Sequence, residues 1–399
     1  MRKYTIIIRL KGRICPDESI GQRVEFMIKI AALMIACVIL AYYSEKYTNE
    51  VKRCGQFYSV LSDPAYLLLV SVMVLFAGLR KDYNDTWNYI NAFRNNKGLT
   101  EYFSNPENLN LMENPLFMFF RSALRELTGN AQYAIFIPSA FTQICLLRFF
   151  KRYSDHFTFS VFLYITLGTF AFTMGALKQA WAMGIVTLAF PALEKRQWGR
   201  YYVIVFIAML IHTYALAYAV LPLFRQRPWK AFTYFFVLVL VFVMMNFEDT
   251  ITAFMDQAEE FGKEMHAEVI FHSYGVNILR VAVYLVAPLI SFCFQRWIFH
   301  NTSAREHVLV HMSIISFAFM LMGTQSGANM FARMAQYFEL GTICCLPTML
   351  DKTFEKRSYR VISCMAIACF LTFFVYAYGI DMRFDDAYKA NSIFSLFGW

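Results

Sequence analysis

The chain has 399 residues, of which 58% are hydrophobic, 18% are aromatic and only 16% are charged, and its formal net charge is +9. Soluble domains carry about a quarter charged residues, and the deficit here extends along the whole chain, so a soluble body with a single anchor is excluded. The Lys and Arg residues lie in short loops between apolar runs, as the positive-inside rule describes, so no nucleic acid is expected as a partner.

Apolar runs long enough to cross a hydrocarbon core of about 30 Å recur from residue 26 to residue 380. These runs do not alternate with period two, so a closed barrel is excluded. We predict an all-α polytopic integral membrane protein with about 10–12 transmembrane helices. A basic segment at 1–25 precedes one transmembrane domain at 26–399, with outer loops near 80–130 and 247–275. The clearest spans lie near residues 26–43, 64–79, 132–149, 158–174, 177–193, 231–246, 277–295, 308–323, 334–350 and 360–378.

The stretch "AGLRKDYNDTWNYINAF" at residues 77–93 begins where the second span ends. Arg80 and Trp87 are explained there as snorkelling and interface anchors without any function. Asp85 is not, because an anchor needs no carboxylate and an acidic side chain is costly near hydrocarbon. Tyr89 lies four residues after Asp85, on the same helical face. A carboxylate beside aromatic rings suits the hydroxyls and the pyranose ring of a sugar.

The next apolar stretch, "ENPLFMFFRSALRELTG", begins at Glu113 and carries Arg121, Arg125 and Glu126 about one helical turn apart. These charges favour an amphipathic helix in the membrane plane over a transmembrane span.

Two further stretches place cations beside helices. "MGALKQAWAMG" puts Lys178 and Gln179 between two apolar runs, and "GTQSGANMFARMAQYFEL" presents Arg333 at the start of a helix. Lys178 is either a snorkelling residue in a tight turn or a cation that holds a phosphate oxygen in a cavity. Arg333 either belongs to a polar outer turn or acts as a bidentate phosphate clamp.

The apolar segment at 201–224 is flanked by basic loops on both sides. If both loops are cytoplasmic, the segment is a broken or re-entrant helix pair with His212 near its tip. Such backbone is tolerated at membrane depth only where protein or a water-filled cavity covers it, so this interpretation implies a cavity. His212 is either a hydrogen-bonded structural residue or a group that moves a proton at neutral pH.

Metal and cofactor chemistry is not indicated. The nine cysteines are scattered without a CxxC pair or a Cys/His cluster, so neither a zinc site nor a disulfide framework is expected. We also find no paired set of broken helices in two halves, which argues against a secondary transporter.

The order of these features resembles the EpsG family of bacterial exopolysaccharide polymerases, a branch of the Wzy-type enzymes. The resemblance spans most of residues 64–399, and Lys178 stands where the family usually has Arg, which keeps the charge but loses the bidentate fork. The motifs that carry it are "AGLR", "YND", "TWNY", "INAF", Glu113 in "MENPLFMFF", "KQAWA", "EKRQWGR", "MLIHTYAL" and "RMAQYF".

The resemblance implies a glycosyltransferase of the bacterial cytoplasmic (inner) membrane with its active site facing outside. It would transfer a growing glycan from undecaprenyl diphosphate to the next lipid-linked repeat unit, without a cofactor or metal. Its partners would be the undecaprenyl-diphosphate-linked oligosaccharide, the bilayer, and the chain-length regulator and flippase of the same pathway. The expected catalytic residues are Asp85 and His212, and the expected substrate-binding residues are Arg80, Trp87, Tyr89, Glu113, Lys178, Gln179 and Arg333.

Two alternatives remain open at this point. A glycosyltransferase that uses a polyprenyl-monophosphate sugar would share the location and the style of fold. A flippase for the same lipid-linked glycan belongs to a different class, and it would favour a polar path through the membrane over polar residues concentrated on one side.

Overall fold

The computed structural model describes residues 16–55, 57–246, 275–325, 329–378 and 388–397. Its α-helices are, in chain order, α1 (Pro16–Arg53), α2 (Pro64–Gly78), α3 (Thr86–Arg94), α4 (Leu99–Ser104), α5 (Pro115–Leu127), α6 (Gln132–Tyr153), α7 (Phe157–Thr166), α8 (Thr169–Gly175), α9 (Leu177–Thr187), α10 (Phe190–Glu194), α11 (Trp198–Ile211), α12 (Ala231–Met245), α13 (Ile278–Cys293), α14 (Gln295–Ile298), α15 (Ala304–Met322), α16 (Asn329–Thr353) and α17 (Lys356–Tyr376). Further 3-10 helices occupy Val60–Ser62, Pro106–Leu109, Leu111–Glu113, Thr213–Arg225 and Ile393–Phe397. Strands β1 (Arg80–Asp82) and β2 (Lys389–Ala390) pair antiparallel.

Several described helices can cross a bilayer, so the prediction of an all-α polytopic membrane protein is confirmed. Four are long and apolar enough by themselves, and α7 with α8 forms a fifth candidate that is bent by 55°. This number is below the expected 10–12, since several predicted spans are shorter or broken helices and the 25-residue α16, which contains the run at 334–350, is not apolar enough to count. The four full-length candidates are Val24–Arg53, Gln132–Tyr153, Ala304–Met322 and Lys356–Tyr376, and the shorter apolar helices are Pro64–Gly78, Trp198–Ile211, Ala231–Met245 and Ile278–Cys293.

Two predicted spans are divided by breaks that their apolar sequence does not reveal. The run at 158–174 breaks at Gly168, whose φ of 90° lies in the left-handed region that glycine adopts without a steric penalty. The run at 177–193 ends its first helix at Thr187 and resumes helix at Phe190. The apolar character of a run therefore does not show whether its helix is continuous.

The predicted helix break around His212 is confirmed. Helix α11 ends at Ile211, His212 has extended backbone with φ −156° and ψ 119°, and the chain returns as a 3-10 helix. The return brings Arg225 back to the start of α11, where its guanidinium lies 5.5 Å from the ring centroid of Trp198. His212 therefore lies at the tip of a hairpin whose two ends meet.

Helix α5 has 13 residues and does not meet the length of a spanning helix, which agrees with the predicted in-plane helix. At the N-terminus, α1 already begins at Pro16, inside the predicted basic segment. Residues 1–15 and most of the predicted outer loop at 247–275 lie outside the described residues. The division at residue 25 remains a prediction.

The outward faces of the peripheral helices are apolar. On α12, Phe235, Leu238 and Phe242 are each more than 60% exposed. An apolar face of this kind would be unfavourable in water but matches lipid chains. The aromatic side chains of the interior pack among α6, α7, α9 and α16. The end of α8 and the starts of α9 and α16 lie together at one side of the bundle.

Candidate functional site

A cavity of about 590 Å³ lies at this side of the bundle. Its walls come from segments that are far apart in sequence: the start of α3, the α8–α9 junction, the hairpin tip, and the first turns of α13 and α16. Six of the nine residues expected at the site line this cavity, namely Asp85, Tyr89, Lys178, Gln179, His212 and Arg333. Their catalytic and binding roles remain predictions.

Asp85 and Tyr89 reach the cavity because α3 begins next to it. Asp85 occupies the position before the helix, but its side chain does not cap the helix and instead accepts a hydrogen bond of 3.3 Å from Asn88 Nδ2. Tyr89 follows one turn later on the same face, edge-on to the ring of Phe117. Burial raises the pKa of the Tyr89 hydroxyl, so at neutral pH this group is protonated and can donate a hydrogen bond.

Arg80 lies behind the cavity wall and does not line it. Its side chain is fully buried, Nε donates to Thr86 Oγ1 at 3.1 Å, and Nη1 donates to Ser139 Oγ at 2.7 Å and to the Ala77 carbonyl. Burial lowers the Arg80 pKa to about 10, so the guanidinium is still charged at neutral pH. This arrangement ties the start of α3 to α2 and α6, and substrate contact by Arg80 remains a prediction.

Lys178 and Gln179 occupy the first turn of α9. The Lys178 ammonium lies 5.7 Å from the ring centroid of Phe117, which is within cation–π range. Gln179 is buried, and its Nε2 donates to the Arg333 carbonyl oxygen at 2.5 Å. This bond connects α9 to α16 across a wall of the cavity.

His212 projects from the hairpin tip. Its Nδ1 lies 3.3 Å from the hydroxyl of Tyr337, and its ring meets the ring of Tyr214 edge-on with centroids 4.8 Å apart. The helix break therefore serves to place an imidazole, held by aromatic neighbours, on the cavity surface.

Two of the expected residues lie near the cavity without lining it. Trp87 is 60% exposed on the outer face of α3. Glu113 is half-buried in a 3-10 helix whose neighbouring residues hold the hairpin: the Thr213 hydroxyl donates to the Met112 carbonyl at 2.9 Å, and the Thr213 amide donates to Asn114 Oδ1 at 3.3 Å.

The cavity also contains polar residues that were not expected from the sequence, of which Arg280 has the largest chemical consequence. It lies in the first turn of α13, and its guanidinium is 5.7 Å from the ring centroid of Phe373. The same signal that selected Arg333, a cation near the start of an apolar helix, was present in "NILRVAVYL". Asn84, Asn277 and Gln336 complete the newly found polar lining.

The charges of the described lining favour an anionic ligand. Lys178, Arg280 and Arg333 supply three positive charges, and Asp85 supplies one negative charge. Cations in a cavity partly withdrawn from water attract a phosphate more strongly than cations in bulk solvent do. Among the described residues, no group of three His, Cys, Asp or Glu side chains is arranged to hold a metal ion.

Comparison with known proteins gives one match. A model described as the EpsG family matches residues 65–385, which include every cavity residue named above. No curated protein and no solved structure matches the chain. Since the match covers most of the sequence, the chain belongs to the EpsG family, a family of Wzy-like exopolysaccharide polymerases.

Proposed function

We propose that this protein transfers a growing glycan from undecaprenyl diphosphate to the next lipid-linked repeat unit, at the outer face of the bacterial cytoplasmic membrane. Family membership supports a Wzy-like polysaccharide polymerase acting on lipid-linked oligosaccharide in the membrane. The observation that best supports the finer proposal is the shared cavity, where three cations, a carboxylate, an imidazole and a phenol meet.

The cations are assigned to the leaving group. When the glycosyl bond to the carrier breaks, negative charge develops on the lipid diphosphate, and cations held in place beforehand stabilise that charge. Lys178 and Arg333 lie on helices joined by the Gln179 bond, so their relative position is fixed before substrate arrives. Arg280 adds a third cation from α13. The planar guanidinium groups of Arg280 and Arg333 can bind phosphate oxygens in a bidentate manner.

The remaining step is activation of the acceptor. An acceptor hydroxyl attacks the anomeric carbon, its oxygen forms the new glycosidic bond, the carbon–oxygen bond to the diphosphate breaks, and the hydroxyl proton must go to a base. Asp85 and His212 line the cavity and are the candidates for this base. We assign the role of the base to Asp85, because its side chain is exposed to the cavity and makes one weak contact with Asn88.

Sugar binding is assigned to the neighbouring polar and aromatic groups. The protonated Tyr89 hydroxyl can donate to a sugar oxygen. Trp87 is exposed outside the cavity, so its ring is available to the longer glycan rather than to the reacting residue. We assign positioning roles to Arg80, which holds the start of α3, and to the segment around Glu113, which holds the hairpin.

The test is deletion of the gene, followed by gel analysis of lipid-linked and surface glycan. The proposal predicts single repeat units without a ladder of chain lengths, restored by the wild-type gene. Loss of all surface repeats, including the single unit, would indicate a flippase. In vitro, the purified protein should release undecaprenyl diphosphate from a lipid-linked repeat, whereas release of polyprenyl monophosphate would indicate the alternative glycosyltransferase.

A further inference from the structure

A second cavity, of about 810 Å³, forms a groove on the side of the bundle. Helix α9 packs against both α6 and α11, and the groove lies over α9 between those two helices, with α5 at one end. Most of its lining is apolar, including Phe141 on α6, Ile185 on α9 and Ile207 on α11. The volume falls within the roughly 300–1,000 Å³ of typical ligand cavities.

The groove has three arginines at the end farthest from the substrate cavity: Arg148 and Arg152 on α6 and Arg200 on α11. The groove is about 16 Å long, which is the helical rise from Phe141 to Arg152 along α6 and from Ile211 back to Arg200 along α11. That is close to half of a hydrocarbon core of about 30 Å, the depth of one leaflet. The groove therefore matches an amphiphile from one leaflet, with its chains on the apolar walls and its head group among the arginines.

The charge at this end is incompletely neutralised. Arg152 Nη2 lies 3.2 Å from Glu194 Oε2, and in the described part of the chain neither Arg148 nor Arg200 has a carboxylate within ion-pair distance. Arg148 and Arg200 are both exposed. Two unneutralised arginines on different helices, at the end of an apolar groove, are complementary to a phosphate that carries acyl chains. Basic pockets between transmembrane helices are known binding sites for anionic lipid head groups.

The opposite end of the groove is separated from the substrate cavity by aromatic rings. The Trp181 ring, which lines the groove, packs edge-on against Phe120 at 4.7 Å and against Phe117 at 6.3 Å between centroids. Phe117 in turn contacts Lys178 of the substrate cavity. If a polyprenyl chain had its diphosphate in the substrate cavity and its tail in this groove, the uncharged end of the tail would lie among the arginines. The arginines would then have no anion to bind, so a carrier chain does not account for them.

We propose that this groove binds an anionic phospholipid, with its phosphate between Arg148 and Arg200 and its acyl chains against α6, α9 and α11. The lipid fills the space between the helices that carry the substrate-binding groups, because α9 begins next to Lys178 and α11 ends at His212. It therefore supports the spacing of two cavity walls. This role is independent of which glycan or carrier the protein uses.

The test is thermal unfolding of the purified full-length protein in an uncharged detergent, with added phosphatidylglycerol or phosphatidylcholine of identical acyl chains. Phosphatidylglycerol should raise Tm in a saturable manner, and phosphatidylcholine should not. The double variant R148Q/R200Q should weaken the phosphatidylglycerol dependence by about tenfold or more, since two charge-assisted contacts are lost. The matched control R357Q/R360Q removes two exposed arginines of α17 and should respond as wild type.

A second variant tests the apolar part without changing charge. Ile207→Trp fills the groove wall and should also reduce the response to phosphatidylglycerol while leaving the arginines in place. Equal responses of wild type and R148Q/R200Q would overturn the proposal, as would equal stabilisation by the two phospholipids. Saturable stabilisation by undecaprenyl phosphate, lost in Ile207→Trp, with no response to phosphatidylglycerol, would overturn it in favour of a carrier-chain groove.

Discussion

Gln179 and Arg333, which are 154 positions apart, are joined by a hydrogen bond of 2.5 Å from the Gln179 side-chain amide to the Arg333 carbonyl oxygen. The bond uses the backbone of Arg333 and leaves its guanidinium available to the cavity. Because Lys178 precedes Gln179 in the same helical turn, one buried amide fixes the distance between two of the three cations.

Loss of this amide should disturb the site more than the fold. We expect Gln179→Ala to shorten or abolish the glycan ladder and to lower the free energy of unfolding by about 1–3 kcal/mol, because the Arg333 carbonyl loses its buried partner. The measurements are the gel pattern in a complemented deletion strain and Tm of the purified variant. Gln197→Ala, at an exposed position before α11, is the matched control and should behave as wild type. A full ladder from Gln179→Ala would contradict the linking role.

Removal of the Asp85 carboxylate should stop polymerisation without unfolding the protein. Asp85→Asn keeps the size of the side chain but cannot take the acceptor proton, so we expect a rate decrease of about 10²–10⁴-fold and no ladder. Asp82→Asn, three residues earlier and outside the described cavity lining, should retain the ladder. A normal rate for Asp85→Asn, measured at wild-type protein level, would move the base assignment to His212.

Lysine should replace the two cavity arginines, Arg280 and Arg333, only in part. Arg280→Ala and Arg333→Ala should each abolish the ladder, whereas the lysine variants should retain partial activity because charge persists without the bidentate fork. Arg94→Ala, on the exposed end of α3, serves as the control. Comparison of KM for the lipid-linked donor with kcat will show whether each cation contributes to binding or to departure of the diphosphate. A wild-type ladder from Arg280→Ala would exclude Arg280 from the site.

Arg80 should behave as a positioning residue. Arg80→Ala leaves Ser139 and Thr86 without their buried partner and creates a void. We therefore expect less protein in the membrane and a lower Tm. The free energy of unfolding should fall by several times the roughly 1–3 kcal/mol that one unsatisfied buried group costs. Lys81→Ala, at the adjacent exposed position, should have no effect on Tm. Normal stability of Arg80→Ala combined with loss of the ladder would instead support direct substrate contact.

The break between α7 and α8 should depend on glycine at residue 168. Gly168→Ala places a Cβ at a φ of 90°, which costs about 1–2 kcal/mol and should lower Tm. Gly199→Ala is the matched control: it lies in helix α11, nothing lies within 4 Å of an added Cβ, and alanine favours helix there, so Tm should be unchanged or higher. Because Gly168 lines the cavity, the Gly168→Ala variant should also shorten the ladder.

Part of the site could be predicted from sequence because a membrane makes ionisable residues informative. A charged or polar side chain beside an apolar run is costly unless a cavity, a partner or the interface accommodates it. That rule selected Asp85, Lys178, His212 and Arg333 one at a time, and the structure places all four around one cavity. The same rule applied to Arg280 would have found it.

The sequence by itself determined that the chain is helical and crosses the membrane, because apolar run length and the absence of period-two alternation depend only on residue types. Only the tertiary structure decided where the helices break and which way each charge points. At Gly168 the backbone is left-handed, with φ 90°, and the two helices on either side meet at a 55° bend. Arg80 turns inward, away from the cavity, because Ser139 is brought to it from 59 positions away. Contacts between residues so far apart leave no pattern in the local sequence. The residues that line the cavity could therefore be predicted, but the contacts behind them, such as that of Arg80 with Ser139, could not.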